Sequence, residues 1–170
     1  GYRVPCVMRY PGKIPAGTEC KELSATIDLL PTVASLLDVE LPADRTIDGR
    51  DIWPLMTGEP NAVSPHEVFY CYYDNELRAI RDERWKLLFP HQSRTLAGRE
   101  GGRDGSPVQY DQQRVDPALY DLDADVGETS DVSTDHPEVV ARLTAAAEIA
   151  RDDLGDSLTG RKGKNIRPAG

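Results

Sequence analysis

What the chain lacks narrows its role first. None of its apolar runs approaches the roughly 20 residues that a helical bilayer span requires, so no segment is expected to cross a membrane. Basic charge is in deficit: 20 Lys and Arg stand against 29 Asp and Glu, for a net charge of -9. No Lys/Arg stripe with interleaved aromatics offsets that deficit, and a phosphate backbone would be repelled, so nucleic acid is not an expected partner. Cysteine is scarce. Cys6, Cys20 and Cys71 are odd in number and show no C-x-x-C spacing, which argues against a disulfide framework and against structural zinc. They read as small buried thiols, with one pairing left open. The opening Gly-Tyr-Arg-Val-Pro-Cys lacks both an initiator Met and a basic-then-apolar signal pattern, so the chain reads as cut from something longer.

What is present fits a globular protein. Hydrophobic residues make up 39% and charged residues 29% of 170, enough for one or two packed units. Residues 4–10 form a short apolar run ending at Pro11-Gly12, read as a strand entering a turn. Leu29, Leu30, Val33, Leu36 and Leu37 recur at helical spacing, with Asp28 placed to cap the first turn and Pro31 tolerated within it. Residues 41–65, rich in Pro, Gly and Asp, read as irregular surface chain, and a boundary is placed near Asn61.

Beyond it, residues 67–73, 77–81 and 85–89 read as three strands, with breaks short enough to demand antiparallel pairing. Residues 118–122 supply a fourth. Between the third and fourth, residues 91–117 form a long glycine-containing loop, of the kind that is either functional or disordered. A last helix follows. Asp135 and Glu138 have capping-box spacing, Pro137 lies in the first turn, and Val139, Leu143, Ala146, Ala150 and Leu154 make an apolar stripe meant for one face of the sheet. Residues 160–170 read as a mobile tail.

Three motifs invite a chemical reading. In "LYDLDADVGETSDV" the alternating Asp121, Asp123 and Asp125 suggest a calcium loop, but the positions that would need Gly and a bidentate Glu hold Val126 and Val132. A turn built on Gly127 is the better reading. The cluster Gly98, Gly101, Gly102 and Gly105 matches neither G-x-G-x-x-G nor the P-loop. It reads as a flexible loop, with anion binding kept open by Arg94, Arg99 and Arg103 in the same stretch. Among the histidines, His66 and His136 have solvated roles. His91 follows the strand "WKLLF" and opens the long loop, where scaffolded loops place ligand contacts, so structural and ligand-contacting roles both stand.

Several pieces, in order, resemble the C-terminal part of a sulfatase of the arylsulfatase type, in the alkaline-phosphatase-like superfamily. "GYRVP" resembles the end of the E-G-G-x-R-x-P stretch, and "YPGKI" the W/Y-P-G-x-I that follows. "SATIDLLPTVASLL" resembles the S-x-x-D-L-x-P-T-x-x-x-L helix, and "DGRDIWPLMTG" the D-G-x-x-x-x-P-L-x-x-G linker. "AIRDERWKLLF" resembles the x-R-x-x-x-W/Y-K strand pair, and "LYDLDADVGE" the L-Y-D-L-x-x-D-P-G-E turn, with Val126 where the family carries Pro.

The resemblance implies a parent enzyme that hydrolyses sulfate esters of a sulfated sugar or aryl compound. Calcium and a formylglycine made from C/S-x-P-x-R would serve that parent, which would be periplasmic or secreted. None of the three cysteines fits that motif: Cys6 runs on as Val-Met-Arg, Cys20 as Lys-Glu-Leu and Cys71 as Tyr-Tyr-Asp. The family's metal-ligand stretches have no counterpart either. No catalytic residue, metal ligand or cofactor is therefore assigned to this chain, which alone is expected to be inactive.

The fold expected is α+β: a four-stranded antiparallel sheet with a packed C-terminal helix over residues 62–170. Before it, residues 1–61 would be a strand-helix remnant closing the large catalytic α/β domain. The expected partners are the N-terminal catalytic part of the same polypeptide and a sulfated small molecule or glycan, touched by His91 and Arg94. Exposed apolar side chains on the remnant would favour self-association. The alternatives are an independent acidic carbohydrate- or anion-binding module, and a phosphodiester or phosphonate hydrolase of related fold.

Overall fold

A computed structural model describes residues 4–167. The chain divides into two compact units between Phe69 and Tyr70, so residues 62–69 lie with the first unit.

The first unit is built around a buried carboxylate. A 3-10 turn, Thr26–Asp28, leads into helix α1, Leu29–Leu36. Asp28 does not cap that helix by its side chain as expected. Instead its Oδ2 accepts the N–H of Ala25 at 2.7 Å, while Oδ1 accepts the N–H of Arg50 at 2.9 Å and faces His66 Nε2 at 2.7 Å. Three separate segments supply those donors, so one carboxylate ties them together. His66, expected to be solvated, is almost wholly enclosed.

Thr32, one turn further on, donates to the Asp28 carbonyl at 2.7 Å and accepts the Ile52 N–H at 3.0 Å. Residues 50–52 are thereby clamped to α1. Gly49 makes the approach feasible, since a Cβ there would lie 2.1 Å from the Ile27 carbonyl oxygen. The stretch read as irregular linker also contains a short helix, α2, Trp53–Thr57, ended by Gly58 at φ 67° and anchored by buried Ile52 and Leu55. Residues 4–10 are not a strand. No ladder partner meets them in this unit, and Val7 is 94% exposed; the turn at Pro11-Gly12 does form, with Gly12 at φ 79°.

The second unit is the expected antiparallel sheet. Its strands are β1 (Phe69–Tyr73), β2 (Glu76–Arg81), β3 (Trp85–Leu88) and β6 (Ala118–Asp121), in the order β1-β2-β3-β6. Ala79 pairs with Leu88, and Leu87 with Leu119. Helix α3, Pro137–Leu154, packs on β2 and β3. Leu77, Ile80, Leu119 and Leu143 are fully buried, each worth about 1.5–3 kcal/mol relative to exposure.

The helix stripe differs in detail from the expected one. Ala147 rather than Ala146 is buried, and Arg151 joins the buried face near the C-terminal end, where Leu154 is only half-buried. The expected capping box is absent, because His136 rather than Asp135 is the N-cap residue, with Pro137 directly after it. Of the expected tail, residues 160–167 are not loose, and residues 155–167 fold back on the helix. Strands β7 (Gly155–Asp156) and β8 (Arg161–Lys162) pair, and the N–H groups of Lys164 and Asn165 donate to the carbonyls of Asp152 and Asp153 at 2.9 and 2.8 Å. The last three residues of the expected tail lie outside the described residues. Of the cysteines only Cys71 is buried; Cys6 and Cys20 are exposed.

Candidate functional site

The expected long loop is largely a two-stranded ribbon. β4 (His91–Thr95) and β5 (Asp111–Val115) pair antiparallel, from His91↔Val115 to Thr95↔Asp111. Polar "HQSRT" and "DQQRV" carry no apolar alternation, so the period that signals a strand was missing. Residues directly opposed in such a ladder share a face, and neighbours along a strand alternate. One face therefore carries His91, Ser93, Thr95, Asp111, Gln113 and Val115. The other carries Gln92, Arg94, Gln112 and Arg114, all four exposed.

His91 and Arg94, three positions apart, fall on opposite faces and are not brought together. His91 is half-buried at the base of the ribbon. Its Nδ1 lies 2.7 Å from the Phe89 carbonyl oxygen, which only an N–H can satisfy, so in the neutral ring the lone pair is left on Nε2.

Arg94 differs from every other arginine of residues 70–167. Arg99 pairs with Asp111 at 3.0 Å, Arg103 with Glu100 at 2.7 Å and Arg114 with Asp116 at 3.1 Å. The remainder all reach a carboxylate or a carbonyl. Arg94 alone has no hydrogen-bond or ion-pair partner among the described residues. Between residues 91 and 115, four arginines stand against three carboxylates in a chain of net charge -9, so the ribbon is a locally basic element on an acidic protein. Gln92, Gln112 and Arg114 were not singled out from the sequence, because only the register places them beside Arg94.

The acidic stretch is a turn. Both Asp121 oxygens meet Arg84, at 3.0 and 2.6 Å, and that guanidinium holds the Asp121 pKa below the usual carboxylate value. Asp125 accepts the N–H groups of Ser130 at 2.8 Å and Thr129 at 2.6 Å; its pKa is also lowered, most by the Ser130 N–H. The residue in the left-handed region is Glu128, at φ 55°, rather than Gly127, and its carboxylate accepts from Lys86 Nζ at 2.6 Å. With these oxygens committed, the stretch does not fit calcium. Among the described residues no group of three or more His, Cys, Asp or Glu could hold a metal ion.

A four-stranded antiparallel sheet backed by a C-terminal helix defines an α+β protein. The same fold is found in the PsFucS1 sulfatase from Pseudoalteromonas sp., with a TM-score of 0.64 at 21% identity over 83% of this chain and 28% of that one. Residues 64–168 match the family described as the C-terminal region of aryl-sulfatase, and residues 1–96 match the family described as N-sulphoglucosamine sulphohydrolase, C-terminal. The chain belongs to the sulfatase family, as a C-terminal region of the aryl-sulfatase type.

Among its relatives, steryl-sulfatase of Mus musculus is 34% identical over 168 residues, which is 91% of this chain and 27% of the relative. Arylsulfatase D of Homo sapiens is 33% identical and covers 91% and 28%. A solved structure titled for the metabolism of multiple glycosaminoglycans by Bacteroides thetaiotaomicron aligns with a TM-score of 0.52 at 28% identity, over 73% of this chain and 24% of that one. The chain thus spans about a quarter of the length of the curated relatives it matches.

Proposed function

We propose that this chain is the C-terminal part of a longer sulfatase that hydrolyses a sulfate ester, and that it completes the fold and edges the substrate pocket through the β4–β5 ribbon. The observation that carries this reading is Arg94, a guanidinium left unpartnered on an exposed strand face where its neighbours in the same segment are all paired. Guanidinium groups match the geometry of sulfate oxygens through two parallel N–H bonds. His91, with Nε2 free, is a separate contact from the opposite face. Calcium and formylglycine would belong to the N-terminal part of the polypeptide; the residues here offer neither the cysteine motif nor the oxygens. The ester would be that of a sulfated sugar or an aryl compound, since the chain is similar both to an arylsulfatase and to a protein of glycosaminoglycan metabolism. The parent would act in the periplasm or outside the cell.

The test is kinetic, in the full polypeptide that contains this chain. Arg94→Ala and His91→Ala should each lower kcat/KM by about 1–3 kcal/mol in transition-state terms, as for a lost hydrogen bond to a charged group. Unchanged kinetics for both would remove the ribbon from the pocket.

A further inference from the structure

We propose that the Gln92–Arg94–Gln112–Arg114 face of the ribbon is a binding surface for an anionic oligosaccharide, one that reads at least two groups of the ligand at once and works in this chain by itself. The inference rests on the reading of Arg94 as an anion contact and extends it to a second anion and to hydroxyl recognition. Its basis is the register. Gln92 opposes Arg114 and Arg94 opposes Gln112, so the two arginines and the two glutamines occupy opposite diagonals of a square on one face. Diagonal neighbours on an antiparallel pair lie about 7–8 Å apart. Backbone positions that far apart let the two guanidinium groups meet two anionic groups on adjoining sugars at once.

The chemistry of the four groups favours a sugar chain. Each glutamine offers an N–H2 donor and a carbonyl acceptor, the pair of roles that a hydroxyl also has. Neither carboxamide has a partner among the described residues, and both are exposed. Arg114 is held only by Asp116, an exposed pair at 3.1 Å that contributes little and can be exchanged for a ligand anion. Within the ladder this face carries no apolar or aromatic side chain, although exposed Tyr110 lies two positions before Gln112, so the paired positions themselves offer no ring on which a steroid or a nucleic-acid base could stack. The four residues carry two guanidinium groups and no carboxylate, which offsets at short range the repulsion expected from the net charge of -9.

The experiment is calorimetric titration of the full 170-residue chain with a sulfated tetrasaccharide, its desulfated counterpart, inorganic sulfate and a single-stranded oligonucleotide. Circular dichroism of each variant checks the fold. The sulfated tetrasaccharide should bind, more weakly as salt is raised, and the other three should bind about tenfold or more weaker. Arg94→Ala and Arg114→Ala should each weaken tetrasaccharide binding about tenfold. The double change Gln92→Ala with Gln112→Ala should weaken the tetrasaccharide but leave inorganic sulfate unchanged, and Arg45→Ala, on the other unit, should change nothing.

Tetrasaccharide binding that ignores Arg94→Ala, or an oligonucleotide or free sulfate that binds as tightly, would overturn the proposal. If the tetrasaccharide fails here while Arg94→Ala still lowers kcat/KM for an aryl sulfate in the full polypeptide, this inference falls and the reading of Arg94 stands. If both measurements are unmoved, both fall.

Discussion

Arg151 and Asp156 show how much a single polar pair can govern in a unit this small. Arg151 Nε donates to Asp156 Oδ2 at 2.9 Å, with side chains 9% and 0% exposed, and the guanidinium sits 4.5 Å from the centre of the Phe89 ring. Asp156 Oδ1 also accepts the N–H groups of Leu77 at 3.2 Å and Leu158 at 3.0 Å. Asp156→Ala leaves the buried Leu77 N–H unpaired and Arg151 held by Glu148 alone, at 2.6 Å, and should cost about 1–3 kcal/mol in urea unfolding; a loss below about 0.5 kcal/mol would mean that water replaces the carboxylate. Tyr72 governs the alkaline limit. Its hydroxyl donates to the Gly155 carbonyl at 2.7 Å, and burial, reinforced by the Asp156 carboxylate, pushes its pKa up to about 12. An unfolded tyrosine ionises at about 10, so folding favours the neutral phenol. That contribution is whole below pH about 10 and is lost as pH rises toward about 12. Urea midpoints measured across that window should fall for the native chain and fall less for Tyr72→Phe; equal slopes would refute the assignment. Asp121 and Asp125, with lowered pKa values, act in the opposite direction. Their contribution is present above the ordinary carboxylate pKa and is lost on acidification.

At the level of elements, the first unit depends on the close crossing of residues 49–52 over the start of α1. Gly49→Ala would set a Cβ 2.1 Å from the Ile27 oxygen, forcing the crossing apart and stretching the Asp28 and Thr32 bonds to Arg50 and Ile52. A cost of about 2–4 kcal/mol is expected, read as faster amide exchange in α1 with β2 and β3 unaffected. Uniform protection in the variant would show that the loop relaxes without loss. The closing segment has a similar requirement. Gly155 at φ 88° and Gly163, whose Cβ would lie 2.3 Å from the Leu154 carbonyl carbon, let residues 155–163 fold back on α3 where a side chain would collide.

For the molecule as a whole, the apolar side of α1 is the unsettled surface. Leu29, Leu30, Val33, Leu36 and Leu37 are all exposed, Leu37 at 67%. In a chain that spans about a quarter of its relatives' length, these side chains are the ones that would pack on the proposed N-terminal part. A contiguous apolar patch favours association, so sedimentation across a concentration series should show self-association, and Leu30→Lys with Val33→Lys should abolish it. A strictly monomeric native chain would refute this. The chain alone should not turn over a chromogenic aryl sulfate with or without calcium; metal-dependent turnover above buffer would overturn the division of labour proposed above.

Sequence by itself determined the four strands of the sheet and the last helix, because alternating or helical apolar periods and turn residues are local signals, while the sulfatase resemblance rested on short motifs that stand in order along the chain. Arg94 was legible as an arginine in a loop, and His91 as a histidine at a strand end. What only tertiary structure decided depended on pairing across distance. The ribbon was invisible because polar strands carry no apolar period, and its register alone separates His91 from Arg94 and sets Gln92, Gln112 and Arg114 beside the latter. Asp28 likewise looked like a helix cap from its place in the sequence. Its role as a buried tie arises from N–H groups 22 residues away at Arg50 and a ring 38 residues away at His66, contacts that no local pattern encodes.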